Sequence, residues 1–236
     1  MKSLKNWDNN TWLSSEKYIK SYCKFLKSKA HLKRNMKLLD IGCGRANIIS
    51  FLHKNIKFYQ KPIGIDIVKN RGLKKNIIFK KIDGIQFLKK NKDSYDLIII
   101  KQTVHFFPKQ KLKLLLNLIK EKLNDNGKLM IFSLKTKNNK IPCFKKMKEK
   151  LDVGLSRDEK LLRFIKQHLK KVKVTNFSYK VNVSKIEYIK MLKSRYISCL
   201  LHFSRKELLK GVREFNLFYK KQIKFTDTLK CITYQK

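Results

Sequence analysis

Apolar and polar positions along the middle of the chain follow two alternating periods. Short runs of strand type, rich in Ile, Leu and Phe, fall at 37–41, 62–66, 76–82, 95–101 and 128–134, and stretches of helical period separate them at 46–54, 84–90 and 109–123. Strands that alternate with helices in this way predict a parallel sheet covered by helices on both faces. Ligands of such sheets sit at the carboxyl ends of the strands, near the point where the strand order reverses.

Beyond the fifth strand the pattern changes. Residues 138–150 read as a basic connection and 158–170 as a helix, followed by strand-like runs at 172–183 and 223–234. Between these two runs lie the 38 residues 184–221, whose apolar positions (Ile186, Ile189, Leu192; Leu208, Leu209, Val212, Phe215) recur at helical spacing. A hairpin needs only a few residues there, so this is an insertion and a candidate lid. The amphipathic stretch 12–25 is a second element outside the core.

Composition limits what this pattern can be. With 236 residues, 42% apolar and 11% aromatic, the chain has room for one α/β domain with a substantial core. No run of about 18 apolar residues exists to span a bilayer, and Met1 to Asn10 are too polar for a signal-peptide core, so a cytoplasmic protein is expected. The five cysteines (Cys23, Cys43, Cys143, Cys199, Cys231) are scattered and never form CxxC, which argues against a disulfide framework or a metal site.

The formal charge of +41, from 58 basic and 17 acidic residues, raises the question of nucleic acid. Only eight of the basic residues are arginine, the residue on which phosphate and base readers lean, and the lysines spread over every segment. Residues with A/T-rich codons are inflated throughout. A solvated lysine surface of compositional origin is the preferred reading, with nucleic acid as a possible but less favoured partner.

The chemistry concentrates in Leu38-Leu39-Asp40-Ile41-Gly42-Cys43-Gly44-Arg45-Ala46-Asn47. Glycines directly after a strand let the backbone turn tightly and approach a ligand. Between Met36 and Lys92 the only acidic residues are Asp40, Asp66 and Asp83, each at or beside the end of one of the first three strands. Three carboxylates at one sheet edge suit a ligand with an amine, a ribose diol and an adenine amino group. Asn47 stands where a dinucleotide fold has its third glycine, and Asp40 would repel a diphosphate.

These motifs resemble the class I S-adenosylmethionine-dependent methyltransferases, specifically the type 11 small-molecule group, over at least residues 36–134. The resemblance implies a Rossmann-like seven-stranded α/β fold, doubly wound and mostly parallel, with an antiparallel last strand and a helical lid inserted before it. It further implies a single domain over 1–236, with an N-terminal helical cap (1–35), a cofactor-binding core (36–134) and a substrate lid (184–221). Asp40, Gly42, Cys43 and Gly44 would line the methionine end of S-adenosylmethionine. Asp66 and Ile67 would meet the ribose, Asp83 and Gly84 the adenine, and Lys101 and Gln102 the transferable methyl. Ala46 occupies a position where many members carry glycine.

The Asn/Asp-Pro-Pro-Tyr/Phe signature of base and glutamine N-methylation is absent, since Ile100-Lys101-Gln102-Thr103 stands in its place. Pro142-Cys143 lies too far along the chain to serve as the nucleophile of carbon methylation. His105, just past the fourth strand, is the candidate base or a pocket-shaping group. The tail, with Arg195-Tyr196, is similar to trans-aconitate methyltransferase-like proteins, which implies that Arg195 and Tyr196 line the acceptor pocket. Trp7 to Tyr18 contains both tryptophans, and Trp12 and Tyr18 are expected to close over the sulfonium. The expected reaction is methyl transfer, O-methylation favoured, to a small polar or carboxylated metabolite by a monomer or homodimer, leaving S-adenosylhomocysteine. An RNA methyltransferase and a non-catalytic cofactor-binding subunit are the alternatives.

Overall fold

The computed structural model describes residues 11–236; the expectations that fall on Met1 to Asn10, Trp7 included, lie outside the described residues. One seven-stranded sheet organises the chain. Its strands are β1 (Leu38–Ile41), β2 (Ile63–Asp66), β3 (Ile78–Lys81), β4 (Tyr95–Lys101), β5 (Leu123–Leu134), β6 (Val172–Ser184) and β7 (Gln222–Gln235), in the spatial order β3-β2-β1-β4-β5-β7-β6. Pairings from β3 through β5 are parallel, whereas β7 runs antiparallel to both β5 and β6. The order reverses between β1 and β4, as expected of a doubly wound sheet with an antiparallel last strand.

The central strands carry runs of consecutive apolar residues because both faces are covered. In β4, Leu97 and Ile99 join one core while Ile98 and Ile100 join the other, and β5 divides Met130 and Phe132 from Leu129 and Ile131 in the same way. Helices α1 (Glu16–Ala30) and α2 (Asn47–Ile56) cover the first face; α3 (Gly84–Lys90) and α4 (Lys109–Lys122) cover the second. Between β6 and β7 lie α6 (Lys185–Lys193) and α7 (Arg205–Phe218), each opened by a capping box, Ser184 with Glu187 and Ser204 with Glu207.

Several element boundaries differ from those read in sequence. Helix α5 runs over Lys145–Leu169, 25 residues, absorbing half of the stretch taken for a connection. Its buried positions Met147, Leu151, Leu155, Asp158, Leu162, Ile165 and Leu169 form one continuous stripe. The first half of that stripe packs in the core beneath the inserted helices and the second half in the core beneath α3 and α4, so α5 ties the two together. Strand β5 begins at Leu123 rather than 128, because Leu123 pairs with Tyr95 ahead of an irregularity in the ladder.

Candidate functional site

Four strands of the sheet deliver the site at their carboxyl ends. After β1, the N–H groups of Gly42 and Cys43 both donate to the Ile65 carbonyl, at 2.8 and 3.0 Å, which lashes the glycine turn to β2. Gly42 has φ +77°, and a Cβ there would meet Thr103 Oγ1 at 2.3 Å, so both conformation and space demand glycine. Ala46, with φ +58°, ends the turn and caps α2 from the left-handed region, which side chains other than glycine seldom adopt.

The three aspartates surround one cleft of about 390 Å³, which Gly42, Cys43, Gly44, Ile67, Gly84, Lys101 and Gln102 also line. Asp66 accepts the Gly44 N–H at Oδ2 and the Val68 N–H at Oδ1, each at 2.9 Å. A carboxylate offers about four acceptor positions, so two remain. Asp83 caps α3 through Oδ1 alone, taking the N–H groups of Ile85 and Gln86. Its capping role and its place on the cleft wall coexist.

Asp40 is 4% exposed, and burial pushes its carboxyl up to about 7; Lys101 pulls it down and Asp66 adds to the rise. A cation placed beside it would favour the charged form. Burial also drives the Cys43 thiol far above its ordinary range and Cys143 up to about 12, which leaves both poor nucleophiles.

Beyond β4 the wall opens toward a second space. Gln102 adopts φ +51° and donates its N–H to the Phe132 carbonyl at 2.7 Å. With Phe106 it borders both the main cleft and a small chamber of about 50 Å³, which His105, Ser133, Asp158 and Arg195 also line. Three buried polar atoms among these residues lack a hydrogen-bond partner: Gln102 Oε1, His105 Nε2 and Arg195 Nε. His105 titrates below its ordinary 6.5 because burial disfavours the cation, with Asp158 opposing that effect and Arg157 reinforcing it. Arg195 is anchored by its Nη2 on the Phe203 carbonyl at 2.8 Å.

Three residues expected at the site are elsewhere. Trp12 is buried and donates its indole N–H to Asp227 Oδ2 at 2.9 Å, and Tyr18 is buried against Tyr22, Phe177 and Tyr179. Leu13 and Tyr22 reach the cleft in their stead. Tyr18 and Tyr22 are four apart on one face of α1, so the periodicity left either open to that place. Tyr196 is buried in the core beneath the inserted helices, its hydroxyl 2.7 Å from that of Tyr188, and lines neither the cleft nor the chamber. Asp158 was missed for a different reason: it sits in the middle of α5, distant in sequence from the strand-end motifs.

Among the described residues no cluster of three or more His, Cys, Asp or Glu is arranged to hold a metal ion, and no helix is long and apolar enough to cross a membrane.

The sequence profile of a family described as a methyltransferase domain matches residues 15–139. Solved structures share the fold at low identity. A methyltransferase candidate from Bacillus halodurans aligns with a TM-score of 0.59 at 12% identity, over 91% of this chain and 98% of its own. The plantazolicin methyltransferase BamL, solved with a triazolic desmethylPZN analog and S-adenosylhomocysteine, aligns at 0.55 with 17% identity, over 98% and 88% of the two chains. A SAM-dependent methyltransferase from Archaeoglobus fulgidus aligns at 0.52 with 17% identity, over 92% and 94%. A search of curated proteins finds no match in sequence.

Proposed function

The chain belongs to the methyltransferase domain family; on that premise we propose that it takes S-adenosylmethionine as its cofactor and methylates an oxygen of a polar or carboxylated small molecule. The observation that carries the reading is the chamber beside the cleft, where Gln102 Oε1, His105 Nε2 and Arg195 Nε are buried without partners. Unpaired buried polar atoms are costly, so a space lined by three of them calls for a polar guest.

The residues of the cleft fit the cofactor by the chemistry of their donor sets. Asp66 has acceptor capacity left for two hydroxyls, Asp83 has Oδ2 free of its capping bonds, and the buried Asp40 suits an α-amino cation. When bound, the cofactor supplies an electrophilic methyl on a sulfonium. The protein's own work is alignment and exclusion of water. Arg195 holds the anionic group of the acceptor, and Gln102, at the junction of cleft and chamber, fixes the reacting end. His105 stays neutral near pH 7, so its Nε2 is able to take the proton of a hydroxyl acceptor. A carboxylate acceptor has no proton to lose and needs no base.

The test is to incubate the protein and radiolabelled methyl donor with a cell extract divided into RNA, protein and small-metabolite fractions. Label is expected in the metabolite fraction. Label in RNA, lost steeply as salt rises, would instead make the lysine surface a substrate-binding device.

A further inference from the structure

The chamber is too small for a whole acceptor. Its 50 Å³ holds about four waters, against several hundred Å³ for an ordinary ligand site. It opens into a groove of about 590 Å³ between α5 and residues 197–203, the two spaces sharing His105, Phe106, Leu134, Asp158, Ile197, Ser198 and Leu201. The floor of that groove is apolar, with Leu151, Leu155 and Phe203 added to the shared side chains. Of the charged side chains lining it, Lys146 pairs with Glu207 and Arg157 with Asp158, and Lys150 is the remaining cation.

Gly154 gives an independent indication. Seven of the eight glycines either have positive φ or sit where a Cβ would strike a neighbour within 3.0 Å. Gly154 alone has neither reason. It lies in the middle of the 25-residue α5, where glycine is among the weakest helix formers, and a Cβ there would meet nothing within 4 Å. It borders the groove, beside Val153, which is 70% exposed. The fold does not require glycine here, and the missing side chain leaves the groove open along this turn of the helix.

We propose that this groove seats an apolar tail of the acceptor, so that the substrate is a long-chain amphiphile whose polar head enters the chamber and whose hydrocarbon lies along α5. The inference rests on the methyl-transfer reading and narrows its substrate class.

Straight-chain carboxylates test it: acetate, hexanoate and decanoate, titrated calorimetrically into protein saturated with S-adenosylhomocysteine. Affinity is expected to rise at least about tenfold from hexanoate to decanoate, as methylenes leave water. Gly154→Leu fills the groove with a better helix former, so its melting temperature should not fall while the gain from hexanoate to decanoate disappears. Should that variant fail to fold, Val153→Glu at the exposed neighbouring position should abolish the same gain. A wild-type protein indifferent to chain length, or folded variants that keep the full gain, would overturn the proposal while S-adenosylhomocysteine still binds. Failure of S-adenosylhomocysteine itself to bind would overturn the methyl-transfer reading and this inference with it.

Discussion

Asp40 is held at the boundary between its neutral and charged forms. Its carboxyl titrates at about 7 because burial outweighs the pull of Lys101. A ligand that brings a cation favours the ionised form, so binding must release a proton wherever the free protein still holds one. Cofactor affinity is therefore expected to rise with pH by up to about tenfold per unit below 7 and to level off above it. Titrations of S-adenosylhomocysteine between about pH 5 and 8 check this, and Asp40→Asn should flatten the slope. At the other end of the site, His105→Ala is expected to lower kcat about 100-fold for a hydroxyl acceptor and to leave a carboxylate acceptor nearly untouched. Because burial depresses the His105 pKa, the acidic limb of the wild-type rate should lie below pH 6.5. Full activity of the variant on a hydroxyl acceptor would leave His105 a shaping role only. The three aspartates were legible in the sequence because the surrounding stretch holds no other acid. Tyr22 was not, since a helical period specifies a face and not which of two rings on it meets a cleft.

At the level of elements, a buried polar contact ties the N-terminal segment to the last strand of the sheet. Trp12, in a short 3-10 turn ahead of α1, donates to Asp227 on β7, whose carboxyl is 2% exposed and raised by burial. Trp12→Phe keeps most of the ring packing but strands that carboxyl, and should lower stability by about 1 to 3 kcal/mol in a urea titration. An unchanged midpoint would mean that the tether contributes nothing. Strands and short helices were readable because Ile-rich runs between glycine turns have a single sensible period. Helix α5 was not fully readable: lysines crowd its first half and Gly154 interrupts it, so its stripe of Met147, Leu151 and Leu155 passes for part of a loop.

For the molecule as a whole, the alternation of strand and helix was enough to specify a doubly wound sheet, and the antiparallel β7 followed from the family resemblance. Sequence could not show the chamber and groove, because they are assembled from the end of β4, the middle of α5 and residues 195–203, segments joined only by folding. Nor did it place Tyr196, whose hydroxyl turns inward to Tyr188 while its neighbour Arg195 lines the chamber. The cleft differs in that every strand end around it leaves a signature in the chain, and its identity hinges on three carboxylates acting on one ligand. Calorimetric titration of S-adenosylhomocysteine into the wild-type protein and Asp66→Ala tests this most directly. One site per chain is expected in the wild type, with affinity weaker by about 1 to 3 kcal/mol in the variant through loss of charged hydrogen bonds. Absence of binding to the wild type, or identical affinities for the two proteins, would contradict it.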